Sequence, residues 1–163
     1  MDDVPLENEF VSLRRIRPAD TGAIVALFRD TIRRVNIKDY SLEQVLAWAP
    51  EQMDLRIWTD KLSTRYSILA EIAGQIVGFG DLESDGHLDH LFVHADRQAS
   101  GIGRTLAAAM EGEARRQRIG RIFTEASITA RPFFERLGYR LLQEQEVLCR
   151  GVMMTNYRME KVL

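Results

Sequence analysis

At 163 residues, 45% hydrophobic and 28% charged, the chain suits one domain, 1–163, around a single sizeable core. A formal net charge of −2 gives no reason to expect nucleic acid or an anionic membrane as a partner. One cysteine, Cys149, excludes an internal disulfide framework, and with three scattered His it leaves no set for a structural zinc, so no metal is expected.

No apolar run approaches the roughly 20 residues that span a bilayer. The N-terminus, Met1-Asp2-Asp3-Val4-Pro5-Leu6-Glu7, is acidic where a secretory signal is basic, so a cytoplasmic location is the expectation. Residues 1–8 are expected to fray.

In chain order, residues 10–17 alternate as a first strand that Pro18 ends. Asp20 or Thr21 caps a helix carrying Ile24, Leu27, Phe28, Thr31 and Ile32 at helical spacing. Ser41 with Gln44 forms a capping box for a second helix with Leu42, Val45 and Leu46 on its apolar side, interrupted at Pro50. Leu55, Ile57 and Trp58 predict a further short helix to about Lys61. Residues 67–72 and 76–82 read as a hairpin about Ala73-Gly74-Gln75, and Ser84-Asp85-Gly86 turns into a strand over 87–93. A helix follows with Leu106, Met110 and Ala114 on one side, stopped at Ile119-Gly120. A strand over 121–125, a short helix through Phe133, a long strand from Leu141 to Leu148, a turn at Arg150-Gly151 and a strand over 153–159 complete the chain.

The run Gln98-Ala99-Ser100-Gly101-Ile102-Gly103 lies between the strand over 87–93 and the long helix. A helix start carries unpaired N–H groups and the positive end of the helix dipole, and glycines there let a ligand approach the backbone. Strand, glycine turn and helix together suit a pyrophosphate. Two other phosphate loops are set aside: the Rossmann fingerprint needs a third glycine where Leu106 stands, and the P-loop's Gly-Lys-Ser/Thr is absent. About 30 residues on comes Ala130-Arg131-Pro132-Phe133-Phe134-Glu135-Arg136-Leu137-Gly138-Tyr139. The spaced pair resembles the GNAT superfamily of acetyl-CoA-dependent N-acetyltransferases. That superfamily has a loop reading Arg/Gln-x-x-Gly-x-Gly/Ala and a later landmark close to Ala-x-x-Phe-Tyr-Glu-Lys-x-Gly-Phe. The specific likeness covers residues 86–139.

The resemblance implies an α/β fold: a mixed, mostly antiparallel sheet of about seven strands in which strands four and five splay, with about four helices. Acetyl-CoA is then the co-substrate. Its pantetheine arm lies in the opening, pairing with main-chain groups of Leu91, Phe92 and Val93. Its pyrophosphate meets the N–H groups of Gln98, Ala99, Ser100, Gly101, Ile102, Gly103 and Arg104, although Arg104 also reads as a solvated helix residue. Phe133 is expected in the core and Phe134 against the cofactor's thiol end.

The family commonly places a tyrosine acid where this chain has Phe134. Three readings follow: the thiolate leaves without an acid, Tyr139 or Tyr157 reaches the sulfur, or the domain binds the cofactor without turnover. For the base, His87 and Asp89 are two apart and so share a strand face. His87 is expected to take the amine's proton, with Asp89 orienting it or binding the amine. The competing reading is two solvated groups at a strand end. His90 and His94, on the face of Phe92, read as structural. Glu71, Glu83 and Asp81 are alternative bases acting through an ordered water. Glu144, Glu146 and Arg150 either line the acceptor pocket or form a wet strand face, and Tyr40 and Trp48 either cap that pocket or belong to the core. The expected function is direct transfer of acetyl from acetyl-CoA to a primary amine of a small molecule or peptide. The alternative is a non-catalytic acyl-CoA-binding or sensing module. A homodimer is an open expectation, and the acceptor is not identified.

Overall fold

The computed structural model describes residues 10–163, so the expected frayed segment 1–8 lies outside the described residues. Four strands, β1 (Ser12–Arg15), β2 (Tyr66–Ile72), β3 (Gln75–Leu82) and β4 (Leu88–Val93), form one antiparallel sheet in sequence order. Three more, β5 (Arg121–Ser127), β6 (Arg140–Cys149) and β7 (Val152–Val162), form a second antiparallel sheet in the order β5-β7-β6. Helices α1 (Thr21–Arg34), α2 (Leu42–Trp48) and α3 (Leu55–Ser63) fall between β1 and β2. Helix α4 (Ile102–Arg116) follows β4, and α5 (Arg131–Arg136) follows β5. Among the described residues no helix is long and apolar enough to cross a membrane.

Side-chain alternation explains why both faces are covered. Along β2, Ile68, Ala70 and Ile72 join one core with Leu106, Met110, Ile122, Phe134 and Met159. Leu69 points the other way, into a second core with Ile24, Phe28, Ile32, Val45 and Phe79. A sheet buried on both faces needs apolar residues at every position, and β2 is buried over Ser67–Ala70. The Ser41–Gln44 capping box forms as expected and starts α2.

The two sheets join at one place. His87 makes a single parallel bridge to Phe123, where the Phe123 N–H donates to the Gly86 carbonyl at 3.0 Å. One step further, the Thr124 hydroxyl donates to the Leu88 carbonyl at 2.8 Å. Among the described residues no further ladder connects β4 to β5, and the strands part.

The junction depends on Gly86. Its φ of +97° lies in the left-handed region, and a Cβ there would stand 2.2 Å from the Arg121 carbonyl oxygen. Gly86→Ala is therefore expected to cost about 2–4 kcal/mol, read as a lower urea midpoint at unchanged slope. An unchanged midpoint would show that the junction tolerates a side chain.

Candidate active site

The parting of β4 and β5 opens a cleft of about 810 Å³. It is lined by β4 from Asp89 to Val93, the loop from Arg97 to Arg104, β5 from Thr124 to Ser127, and side chains of α1, α2, α5, β6 and β7. Every residue expected to hold the cofactor lines this cleft: Leu91, Phe92, Val93, Gln98, Ala99, Ser100, Gly101, Ile102, Gly103, Arg104 and Phe134.

The loop presents open amides. Gly101 is the N-cap of α4, with φ +89° and no side-chain cap. The first helical bond joins the Thr105 N–H to the Gly101 carbonyl, so the N–H groups of Ile102, Gly103 and Arg104 have no helical acceptor. Ala99 also has a positive φ, 55°. Alternating backbone of this kind turns successive N–H groups toward one point and forms an anion nest. Gly103 serves packing as well, because a Cβ on it would lie 3.2 Å from the Phe133 ring. Gln98 does not aim its side chain at a ligand: its Nε2 donates to the Val93 carbonyl at 2.8 Å and fixes the loop to the end of β4.

The free edge of β4 differs in detail from expectation. The His94 N–H donates to the Val77 carbonyl, which sets the alternation of the β3–β4 ladder. In the register Gly78↔Val93, Phe79↔Phe92 and Gly80↔Leu91, the main chain of Phe92 then pairs with Phe79. Leu91 and Val93 turn their polar groups away from β3, and the Val93 carbonyl already accepts from Thr31 and Gln98. Phe92 contributes its ring to the cleft rather than its amide.

A bulge re-sorts the polar side chains of β4. Leu82 faces Leu88 while Asp81 faces His90, so Asp89 is an extra residue on its strand. The extra residue moves His90 onto the face that carries His87, and Arg65 ties Asp89 to Asp81 and Glu83 on that same face. His87 stacks on Phe123 and engages Glu83 through Nδ1 and Glu125 through Nε2, the latter at 2.6 Å. It is absent from the cleft lining, and both its nitrogens are occupied. The bond to Glu125, against the opposing effect of burial and with help from Glu83, raises its pKa to about 9. An imidazolium at neutral pH has no lone pair to accept a proton, so His87 is poorly suited to the base role expected of it. Asp89 does line the cleft. Burial works to raise its pKa, but nearby His90 and the bond from Arg65 outweigh burial and leave it lowered.

The structure instead brings forward His90. Its Nδ1 lies 2.8 Å from Oδ1 of Asp81, a fully buried carboxylate that also accepts from Arg65 at 2.7 Å. A carboxylate acceptor fixes the Nδ1–H tautomer, which leaves Nε2 with its lone pair. Nε2 has no hydrogen-bond partner among the described residues, and His90 lines the cleft. The ring packs amid Phe28, Trp58, Phe79 and Phe92. The sequence showed only a His at a strand position. Its pairing with Asp81 across the β3–β4 ladder was the available signal, and it required the register. Glu125, also on the lining, was missed because β5 faces β4 only in the folded sheet.

Asp81, Asp89 and His90 offer ligand atoms within 4.8 Å of one another. Arg65 Nη1 stands 2.7 Å from Asp81 and 2.5 Å from Asp89. The guanidinium offsets one of the two carboxylate charges and occupies an oxygen of each.

Of the alternative bases, Asp81 lies behind His90, Glu83 holds His87, and Glu71 pairs with Arg14. Phe133 and Phe134 stand the other way round from expectation. Phe134 is buried in the core against Tyr139, while Phe133 is partly buried, and both touch the cleft. Tyr139 and Tyr157 are absent from the lining, as are Glu144, Glu146 and Arg150. Tyr40 and Trp48 both line it. The Tyr40 hydroxyl donates to the Thr155 carbonyl at 2.8 Å and accepts from the Ile128 N–H at 2.9 Å, and burial pushes its pKa up to about 12.

The raised pKa of His87 has a consequence for stability. The imidazolium contributes fully below its unfolded value of 6.5, and the contribution is lost as pH rises through about 9. The difference in unfolding free energy between wild type and His87→Gln is therefore expected to shrink between pH 6.5 and 9, measured by urea titration at each pH. A His87 ring that titrates below pH 7 by NMR would remove the two-carboxylate clamp.

Comparisons with known proteins agree with this geometry. An acetyltransferase (GNAT) domain family model matches residues 36–161. The uncharacterized N-acetyltransferase YafP of Escherichia coli (strain K12) is 32% identical over 152 residues, covering 91% of this chain and 94% of YafP. A GCN5-related N-acetyltransferase from Rhodopseudomonas palustris superposes with a TM-score of 0.90 at 33% identity, covering 93% of this chain and 95% of the other. At 15% identity, PaiA N-acetyltransferase from Thermoplasma acidophilum, solved in complex with coenzyme A, shares the fold with a TM-score of 0.78 over 94% of this chain and 99% of its own. With the parted strands and the amide-lined loop in place, these likenesses establish that the chain belongs to the GNAT family of N-acetyltransferases.

Proposed function

We propose that this protein transfers acetyl from acetyl-CoA directly to a primary amine of a small molecule or peptide. The observation that carries the reading is the single cleft that joins an uncapped helix start at one end to the Asp81–His90 pair at the other. The open amides of Ile102, Gly103 and Arg104 suit the pyrophosphate, and Lys38, Arg97, Arg104 and Arg136 add positive charge along the lining. The main-chain groups of Leu91, with the N–H of Val93, suit the amides of the pantetheine arm, which then completes the unpaired edge.

The thioester is delivered between β4 and β5 toward the face that carries His90. His90 Nε2 takes the proton from the acceptor ammonium or from the attacking amine, and Asp81 stabilises the imidazolium that forms. The amine nitrogen attacks the thioester carbonyl carbon, the C–S bond breaks, and the sulfur leaves with the electron pair. A thiol pKa near 8.5 makes the thiolate a fair leaving group without a tyrosine acid at Phe134. Asp89 and Glu125 attract the ammonium to the closed end of the splay, beside the junction.

Saturating acetyl-CoA is expected to raise the melting temperature by roughly 5–10 °C, as about 2.7 kcal/mol of binding linkage does for a domain of this size. No shift would overturn the reading. Given a shift, release of free thiol above hydrolysis in an amine panel supports the enzyme, whereas silence across the panel supports a binding module. His90→Ala is expected to lower kcat by about 10²–10⁴-fold with the acetyl-CoA melting shift retained. His87→Gln is expected to have a much smaller effect on kcat. Full turnover in His90→Ala would remove it as the base.

A further inference from the structure

We infer that the acceptor is a monoamine whose body is aromatic or branched apolar and carries no carboxylate. The inference rests on the N-acetyltransferase reading and specifies what the α1–α2 side of the same cleft accepts.

Four rings form that wall. Phe28 meets Phe92 edge-on at 4.9 Å and Trp48 at 6.5 Å, Trp48 meets Phe92 at 6.2 Å, and Tyr40 meets Trp48 at 5.6 Å. Val147 and Met154 from the β6–β7 hairpin extend the apolar lining. The wall carries one unsatisfied acceptor, the buried Asn156 Oδ1 on β7, which has no hydrogen-bond partner among the described residues. The Tyr40 hydroxyl is satisfied by Thr155 and Ile128, and the His90 Nδ1 is satisfied by Asp81. Of the four lining cations, Arg97, Arg104 and Arg136 come from the loop, α4 and α5, and Lys38 comes from the connector between α1 and α2 that also carries Tyr40.

Charge and shape then select together. The lining carboxylates Asp89 and Glu125 stand on β4 and β5, beside the junction, so one ammonium has a place there. A second ammonium further along would be desolvated against rings with no lining carboxylate other than Asp89 and Glu125, and an α-carboxylate would be desolvated against the same rings and face the Asn156 Oδ1 acceptor. An aryl or branched alkyl body fills the wall and gains from leaving water.

The test compares kcat/KM for 2-phenylethylamine, isoamylamine, ethylamine, putrescine and phenylalanine at saturating acetyl-CoA. The first two are expected to exceed each of the others by about tenfold or more. Trp48→Ala should cut the preference for 2-phenylethylamine over ethylamine to below about threefold. Val147→Lys, which places a cation on the wall, should raise phenylalanine relative to 2-phenylethylamine by about tenfold. The acetyl-CoA melting shift reports whether each variant is folded. Preference for putrescine or phenylalanine in the wild type, with thiol released, would overturn this inference and leave the N-acetyltransferase reading standing. A melting shift without thiol release from any of the amines would overturn both.

Discussion

The structure turns on the point where two antiparallel sheets touch at one parallel bridge and then diverge. A continuous sheet would satisfy every main-chain group of β4 and β5 internally and leave no cleft. Here the bridge at His87 and Phe123 and the Thr124 hydroxyl on Leu88 close the base of a V. Above them the strands are held apart by what is packed on each side. The α4–α5 core takes Ile102, Phe133 and Phe134, and the α1–α2 core takes Phe28, Trp48 and Phe92. The cleft therefore opens between the two cores, each packed on its own face of the sheet. Its unpaired edge is the natural place for an extended, amide-bearing ligand arm.

A row of charges crosses the base of that V. Arg65 contacts Asp81, Asp89 and Glu83, while Asp81 holds His90, Glu83 holds His87, and His87 reaches Glu125 on the other sheet. Each buried charge has a partner, as the desolvation penalty demands. The row also divides labour between two histidines three residues apart. His87 has both nitrogens committed and serves as a charged strut between the sheets. His90 has one nitrogen committed and one open to the cleft.

The loop and its helix were legible in the sequence because their signals are local. Gly101 at a helix start, Gln98 before it and the apolar strand preceding it lie within a dozen residues, and backbone chemistry alone gives their arrangement. The Ser41–Gln44 box and the β2–β3 turn were legible for the same reason. The polar side chains of β4 were not. A period-of-two reading places His90 on the face opposite His87 and Asp89, and one bulged residue brings it to theirs. The same reading left His90 as structural, since a histidine among aromatic residues looks like core until the carboxylate behind it is seen. Phe133 and Phe134 exchanged places because a six-residue helix gives too short a period to say which neighbour meets Tyr139.

By itself the sequence determined the family, the α/β element order and the glycine loop at a helix start, because glycine placement and spaced motifs are properties of contiguous chain. Only the tertiary structure decided which histidine keeps a free nitrogen, which carboxylates meet it and which rings line the cleft beside α1 and α2. Those facts join residues 28, 48, 65, 81, 90 and 125, which come together through strand register and sheet packing, and neither is encoded in any one stretch of residues.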